Sequence, residues 1–567
     1  MQQNVLPADY YLTNFRQLTD FVVSRYAHLL GEDALAFYQA LTSLPDDAQK
    51  LYVRMLLRKG QYFRRSKLGY DEITSVDAAL NVLAEAGFVT VDAPAPDVAL
   101  VKLFTKAELV ACFADASLKP LSRAELDESL LQRPIREVCD QLLAFAQRQD
   151  GEQLIQLCRG EHFVVFRLLF FGNLHQDMTD FVLRDLGLSR YESYPLDADS
   201  AALQTPDQVA AHLLYYDYCE QAENIDDHCA ADITCMLRSL VSELMTATKS
   251  DSVLRRRVHR LLLKYARQLE RLQATQAALE IYQQVDRPPS RERQARLMAE
   301  QHRFVEALAL CEQILQDSTN EEEQEFAEAF AARCLKKAAR SGCDTSNLMA
   351  SHALQRARLN LAKYTPPTEL LALSGADTSV EECVAAHFRS HGACFFVENT
   401  LMNAVFGLAL WEVIFAPVKG AFYHPFQIGP ADLYEDFASN RQGLLQRFWQ
   451  EISDSDSLSA KVLATFRTKS GIANPFVHWP ALDEALLTLA LARIPYAHWE
   501  AVLKRMLLDI RHHRSGFPDL IWFPDSGGYE LLEVKAPGDK VQQNQRRWMA
   551  YFDRHHIPHR LVNVQWL

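Results

Sequence analysis

Gly516-Phe517-Pro518-Asp519-Leu520-Ile521-Trp522-Phe523, then the turn Asp525-Ser526-Gly527-Gly528, then Tyr529-Glu530-Leu531-Leu532-Glu533-Val534-Lys535 is the stretch that decides how the C-terminal part of this chain folds. Asp519–Phe523 and Tyr529–Lys535 are apolar-rich runs of strand length, and the turn between them predicts a hairpin. Side chains alternate along a strand, so Glu533 and Lys535 share one face while Val534 takes the other. The hairpin carries Asp519 close to Glu533. Both acids are hard oxygen donors suited to Mg2+ or Mn2+. Lys535 is a compact cation able to stand beside an attacking water or a scissile phosphate. Pro-Asp and Glu-x-Lys are each common alone. Set after a turn and at the end of an apolar strand, they point together to a metal-dependent phosphodiesterase.

The flanks extend this unit. After Pro537-Gly538-Asp539 the run from Lys540 to Phe552 has helical periodicity, with Val541, Gln545, Trp548 and Phe552 on one face. Gln545 is an amide on an apolar stripe. It is either a half-exposed core amide or a hydrogen-bonding group aimed at the metal site or at DNA, and the second reading is preferred here. His559-Arg560-Leu561-Val562-Asn563-Val564 predicts a closing strand.

A chain of 567 residues with 49% hydrophobic content holds several globular domains. Eleven cysteines without a Cys-x-x-Cys pair suit a reducing compartment. The first residues, Met1 to Pro7, do not read as a signal peptide, and Leu401 to Val418 is interrupted by Glu412 and short for a bilayer span. The expectation is a cytoplasmic, nucleoid-associated protein with no membrane partner. A net charge of -14 excludes indiscriminate coating of DNA. Local patches still govern binding, because exposed charges are screened beyond about 10 Å. Arg54, Arg58, Lys59, Arg64, Arg65 and Lys67 form one patch, interleaved with Tyr62 and Phe63. Arg511 and Arg514 lead into Asp519, and Lys540 follows the hairpin. These nine residues are the expected DNA contacts. A third basic run, Arg255 to Arg271, is as readily a solvated helix face.

Gly-x-Pro-Asp, Glu-Val-Lys-Ala-Pro-Gly-Asp and Gln-Arg-Arg-Trp resemble the VRR type of PD-(D/E)xK nuclease. Tyr10-Tyr11-Leu12-Thr13-Asn14-Phe15, Leu51-Tyr52-Val53-Arg54 and Lys67-Leu68-Gly69-Tyr70-Asp71-Glu72-Ile73 are similar to the N-terminal part of the Fanconi anaemia-associated nuclease family, in the same order. The resemblance spans nearly the whole chain and lacks the cysteine-rich finger of eukaryotic members, so it implies a bacterial form. It implies a mostly α multidomain fold in four parts. Residues 1–98 form a helical, helix-turn-helix or winged DNA-binding domain, and 99–149 a SAP-like DNA-binding module whose first helix opens at Thr105-Lys106-Ala107-Glu108. Residues 150–367 form a tetratricopeptide-like array, with Thr275-Gln276-Ala277-Ala278-Leu279 and Phe304-Val305-Glu306-Ala307-Leu308 as successive small-residue contacts. Residues 368–567 form an α/β restriction-endonuclease-like domain with its core hairpin in 516–567. Pro-containing linkers are expected at 92–97 and 364–368.

The resemblance further implies cleavage of 5′ flaps and related branched DNA, 5′-to-3′ exonuclease action, and a role in interstrand crosslink repair, by a monomer on DNA. It supplies an upstream metal-site acid, Glu398, which precedes Leu401, Val405 and Leu408 on one helical stripe and would thus end a buried helix facing the site, with Glu412 on the same stripe as the alternative. Three converging carboxylates repel unless a cation joins them. Glu398, Asp519, Glu533 and the main-chain carbonyl of Val534 would therefore hold one or two Mg2+ or Mn2+ ions, which lower the pKa of a bound water and stabilise attacking and leaving oxygens. Lys535 and Gln545 complete the catalytic set. A Holliday-junction resolvase-like enzyme and a helical-repeat adaptor with an inactive nuclease domain are the alternatives. The long N-terminal region argues against the first, and the complete acid-acid-lysine set against the second.

Overall fold

The structure is a computed structural model that describes residues 6–92, 97–148, 152–197, 200–343, 354, 364–374 and 378–567. The fold is mostly α-helical, and its packing separates two compact units. The first comprises 1–189 with 197–199 and 203–209, the second 190–196, 200–202 and 210–567. Of the linker expected at 92–97, residues 93–96 lie outside the described residues. No helix among the described residues is long and apolar enough to cross a membrane.

In the first unit, helices Tyr10–Tyr26, Glu32–Thr42, Asp46–Leu56 and Val76–Glu85 surround a small antiparallel sheet. Its strands are β1 (Tyr62–Arg64), β2 (Val89–Val91) and β3 (Leu154–Leu157), in the order β1-β3-β2. Four further α-helices, Asp97–Lys102, Lys106–Phe113, Arg123–Leu131 and Ile135–Arg148, lie between β2 and β3 among the described residues. The expected cap at Thr105 is present: its side chain accepts from the Glu108 amide, and the Glu108 carboxylate returns the bond to Thr105 N–H.

Arg64 does not reach the surface. The register of β1 against β3 sets it opposite Leu154, and only 5% of the residue is exposed. Its guanidinium pairs with Glu108 at 2.7 Å and Glu152 at 3.0 Å and lies 4.6 Å from the Phe104 ring centre. The expected DNA contact is a buried structural ion pair instead, because two acids remote in sequence converge on it. Removing one partner of such a network strands the others. Arg64→Met should lower unfolding free energy by about 3–5 kcal/mol, read as a shifted urea midpoint. A midpoint within error of wild type would show that the network is dispensable.

The second unit begins with antiparallel helices, among them Ser252–Arg271, Thr275–Tyr282, Ser290–Glu300, Phe304–Asp317 and Glu321–Arg340. The small-residue positions Ala278 and Ala307 are fully buried beside Leu279 and Leu308, which lets successive helices approach closely. The chain then builds a five-stranded mixed sheet from β4 (Thr368–Leu373), β5 (Gly392–Phe396), β6 (Leu520–Pro524), β7 (Glu530–Lys535) and β8 (His559–Trp566), ordered β4-β8-β7-β6-β5. Thr368, read as linker, is the first residue of β4, since parallel pairing with β8 starts at Thr368 opposite Leu561.

Both faces of this sheet are covered, as a mixed sheet with helical crossovers requires. Leu520, Leu532 and Val534 pack with Val384 and Phe388 of the Val380–Phe388 helix. Ile521 and Leu531 point the other way, into a large core with Phe517, Trp548 and Phe552. Period-two alternation puts Asp519, Glu533 and Lys535 on this second face.

Candidate active site

The hairpin does what its spacing predicts. Leu520 pairs with Leu532, so Asp519 stands opposite Glu533 at the mouth of the antiparallel pair. Asp519 Oδ2 accepts a hydrogen bond from the Val534 amide at 2.8 Å, which fixes the carboxylate. Lys535 Nζ lies 2.7 Å from Glu533 Oε1. Glu533 is completely buried and Asp519 nearly so.

The segment leading into Asp519 is held from behind by the Gln543–Arg554 helix. Trp548 Nε1 donates to Ser515 O at 3.1 Å, and its ring packs 4.2 Å from that of Phe517. Gly516 sits at φ +88 with the Asn544 side chain against it; a Cβ there would meet that side chain at 2.9 Å. Only glycine tolerates both constraints. The helix starts at Gln543, later than its periodicity suggests, because Gln542 and Gln545 form its cap. Gln545 Oε1 accepts from the Gln542 amide at 2.9 Å. Its carbonyl thus holds the helix end, while its NH2 group is not used by that bond.

Glu398 lies in the Glu398–Thr400 turn between β5 and the Leu401–Ala409 helix, and it is exposed. The expectation that it ends a buried helix is corrected, since the helix begins only at Leu401. The Glu398 charge nonetheless acts on the pair, adding to the upward shift of both Asp519 and Glu533. The alternative, Glu412, points away: its side chain is 79% exposed and paired with Lys461 at 2.8 Å. Sequence reasoning missed Glu381, in the first turn of the Val380–Phe388 helix, whose charge also reaches Asp519. Its position in the sheet's covering helix gave no local motif to find it by.

Burial is the main cause of the shifts at the acid pair. It pushes Asp519 up to about 6, with Val534 N–H and Lys535 opposing. It pushes Glu533 up to about 8, helped by Asp519 and opposed by Lys535. Among the described residues no three His, Cys, Asp or Glu side chains form a complete ligand cluster by themselves. The donors nevertheless suit a hard divalent cation. Glu533 is buried with Oε2 free of any hydrogen-bond partner, and two facing carboxylates have one lysine between them.

Two family descriptions match this chain: the FAN1 HTH domain over residues 9–90 and the VRR-NUC domain over residues 454–566. A Fanconi-associated nuclease 1 homolog of Pseudomonas aeruginosa is 34% identical over 98% of this chain and 96% of its own length. The chain belongs to the Fanconi-associated nuclease family. It is therefore a DNA hydrolase with a VRR-type nuclease domain, and PD-(D/E)xK enzymes use divalent metal ions. Human Fanconi-associated nuclease 1 is 24% identical over 95% of this chain, which spans 61% of the human protein. The fold is similar to a crystal structure of paFAN1 bound to 5′-flap DNA with a gap, at a TM-score of 0.83 and 33% identity over 99% of both chains.

The other expected DNA contacts of this family member divide by their partners. Arg54 pairs with Glu72 at 2.6 Å and stacks on Tyr11, and Arg65 pairs with Asp77. Arg58 bonds the Tyr70 hydroxyl and lies over Phe63. Arg58, Lys59, Lys67 and Lys540 are exposed with no acid partner among the described residues. Arg58 and Lys67 line one cleft with Tyr10, Tyr11 and Leu57. Arg514 reaches Tyr434 OH and Pro475 O.

Arg511 opens onto a cavity of about 680 Å3 that no single sequence run announces. Arg260 and Arg287 from the helical array also line it, together with the acids Glu292, Glu322, Glu323, Glu435 and Asp509. Glu435 ties this wall together, accepting from Arg287 at 2.7 Å and Arg511 at 3.2 Å. Arg260 has no ion-pair partner among the described residues. Its run read evenly as solvent-facing, and it became interpretable only when folding set it opposite Arg511.

Proposed function

We propose that this chain is a bacterial structure-specific nuclease that cuts 5′ flaps and related branched DNA, with 5′-to-3′ exonuclease action, in interstrand crosslink repair. The observation that carries this reading is the facing of buried Asp519 and Glu533 beside Lys535, in a chain that resembles a 5′-flap-bound relative over its whole length. The four-part organisation, 1–98, 99–149, 150–367 and 368–567, belongs to the same proposal, as do monomeric action on DNA and a nucleoid location.

In this reading Asp519, Glu533, Glu398 and the Val534 carbonyl would hold one or two Mg2+ or Mn2+ ions. Bound metal supplies an activated water and charge stabilisation at the attacking and leaving oxygens. The Val534 amide orients Asp519 towards Glu533. Lys535, held by Glu533, offsets the negative charge that develops on phosphorus. Arg58, Lys59, Lys67 and Lys540 hold duplex phosphates. Arg511, at the edge of a cavity it shares with Arg260 and Arg287, adds a further contact to the DNA backbone. Arg514 braces that edge through Tyr434.

A cleavage panel tests the reading. End-labelled 5′ flap, 3′ flap, Holliday junction and plain duplex are compared with Mg2+, with Mn2+ and with excess chelator. The expected result is fastest cutting of the 5′ flap, and no cutting in chelator. Preferred cutting of Holliday junctions would favour a resolvase, and full activity in chelator would rule out the metal site.

A further inference from the structure

We infer that Asn399 is a positioning residue that ties the Glu398 carboxylate to the segment carrying Asp519. Of the three candidate acids, Glu533 lies within β7 and Asp519 directly precedes β6, whereas Glu398 is on an exposed turn, so something other than strand pairing must hold it. Asn399 occupies the left-handed region at φ +50, which asparagine accepts more readily than most side chains. Its Nδ2 donates to Glu398 Oε1 at 3.3 Å, while its Oδ1 accepts from the Phe517 amide at 3.2 Å. Its carbonyl accepts from Asn403 Nδ2 at 2.6 Å, and the same amide group donates to Arg514 O at 2.8 Å. Asn403 is buried, and the Val397 amide donates to Asp519 O at 2.8 Å. Three bonds, from Phe517 N–H to Asn399, from Asn403 to Arg514 O and from Val397 N–H to Asp519 O, therefore tie this turn to the Arg514–Asp519 segment. A glycine would satisfy the backbone at residue 399 but could make neither side-chain bond. A lysine would neutralise Glu398, whereas the neutral amide orients it and leaves its charge for a cation.

The inference rests on the metal-site reading, and its test separates the two. Asn399→Gly, Glu398→Gln and wild type are compared by calorimetric Ca2+ binding without DNA, by the Mg2+ concentration giving half-maximal flap cleavage, by flap affinity, and by the unfolding midpoint. Loss of a group that orients a metal ligand weakens affinity by about tenfold or more, so Asn399→Gly should raise the Ca2+ dissociation constant and the Mg2+ half-saturation by that factor. Cleavage at saturating Mg2+ should fall less than about threefold, with flap affinity and midpoint unchanged. Wild-type Ca2+ and Mg2+ responses in Asn399→Gly, with Glu398→Gln impaired, would overturn the positioning role alone. A lowered midpoint with parallel loss of flap affinity would make Asn399 a fold-maintaining residue and also overturn it. Normal metal binding by Glu398→Gln would remove Glu398 from the site and with it the reading on which the inference stands.

Discussion

Asp519→Ala, Glu533→Ala and Lys535→Ala are each expected to remove nearly all cleavage while leaving flap binding and the fold in place. The acids face each other across the β6–β7 pair, so either substitution removes one of the three candidate carboxylates. Lys535 is the cation held against this pair, and loss of one such electrostatic group costs about 10²–10³-fold in rate. Truncating Asp519 or Glu533 should cost at least as much. Folding should not suffer in the acid variants, because a buried carboxylate without a full set of partners is itself unfavourable. In Lys535→Ala the Glu533 carboxyl can stay protonated near neutral pH, burial having pushed it up to about 8. Single-turnover cleavage of a 5′ flap with Mg2+, alongside flap affinity, checks this. Wild-type rates in any of the three variants would end the proposed chemistry.

The second large effect concerns stability in the absence of metal. Asp519 is raised from 3.8 to about 6 and Glu533 from 4.5 to about 8, chiefly by burial. A raised carboxylate binds its proton more tightly in the folded state than in the unfolded one. Its stability contribution is complete below the unfolded pKa and is lost as pH rises through the folded value. Metal-free protein should therefore lose stability between about pH 4 and pH 8, on the order of a few kcal/mol. Glu533→Gln cannot ionise and should flatten most of this slope. Divalent cation should reverse it, because ligation needs the deprotonated acids and stabilises by about 2.7 kcal/mol at a hundredfold excess over its dissociation constant. Chemical denaturation across this pH range, with chelator or with Ca2+, measures all three. Equal slopes in wild type and Glu533→Gln would mean that Glu533 ionises freely in the fold.

The hairpin was legible because everything that makes it is local. The Ser-Gly-Gly turn, the alternation of β7 and the Pro518-Asp519 entry lie within twenty residues. The small-residue contacts of the helical array and the Thr105 cap were legible for the same reason. Glu398 was found by resemblance, but its setting was not, since the positive φ at Asn399 starts the helix three residues late. Arg64 looked like part of a basic run, yet its acid Glu152 arrives from 88 residues away through β1–β3 pairing. Gln545 reads as an amide on an apolar face, and its part in the helix cap with Gln542 was not legible because a Gln N-cap is unusual. The Arg260, Arg287 and Arg511 cavity joins three chain segments. Each segment alone reads as an ordinary charged helix or loop, and charge pairing across such distances leaves no periodicity to detect.

The central claim is that DNA shape, not base sequence, places the cut in front of Asp519 and Glu533. Its most direct test is a set of end-labelled 5′ flaps in which the junction position and the base sequence are varied independently, cut with Mg2+ and mapped on sequencing gels. Phosphate-directed cations distributed over separate regions position duplex arms without reading bases. The cut should therefore move with the junction and stay at a fixed distance from it in every scrambled sequence. Cuts that stay with a base motif when the junction moves would contradict the account and make this chain a sequence-specific endonuclease.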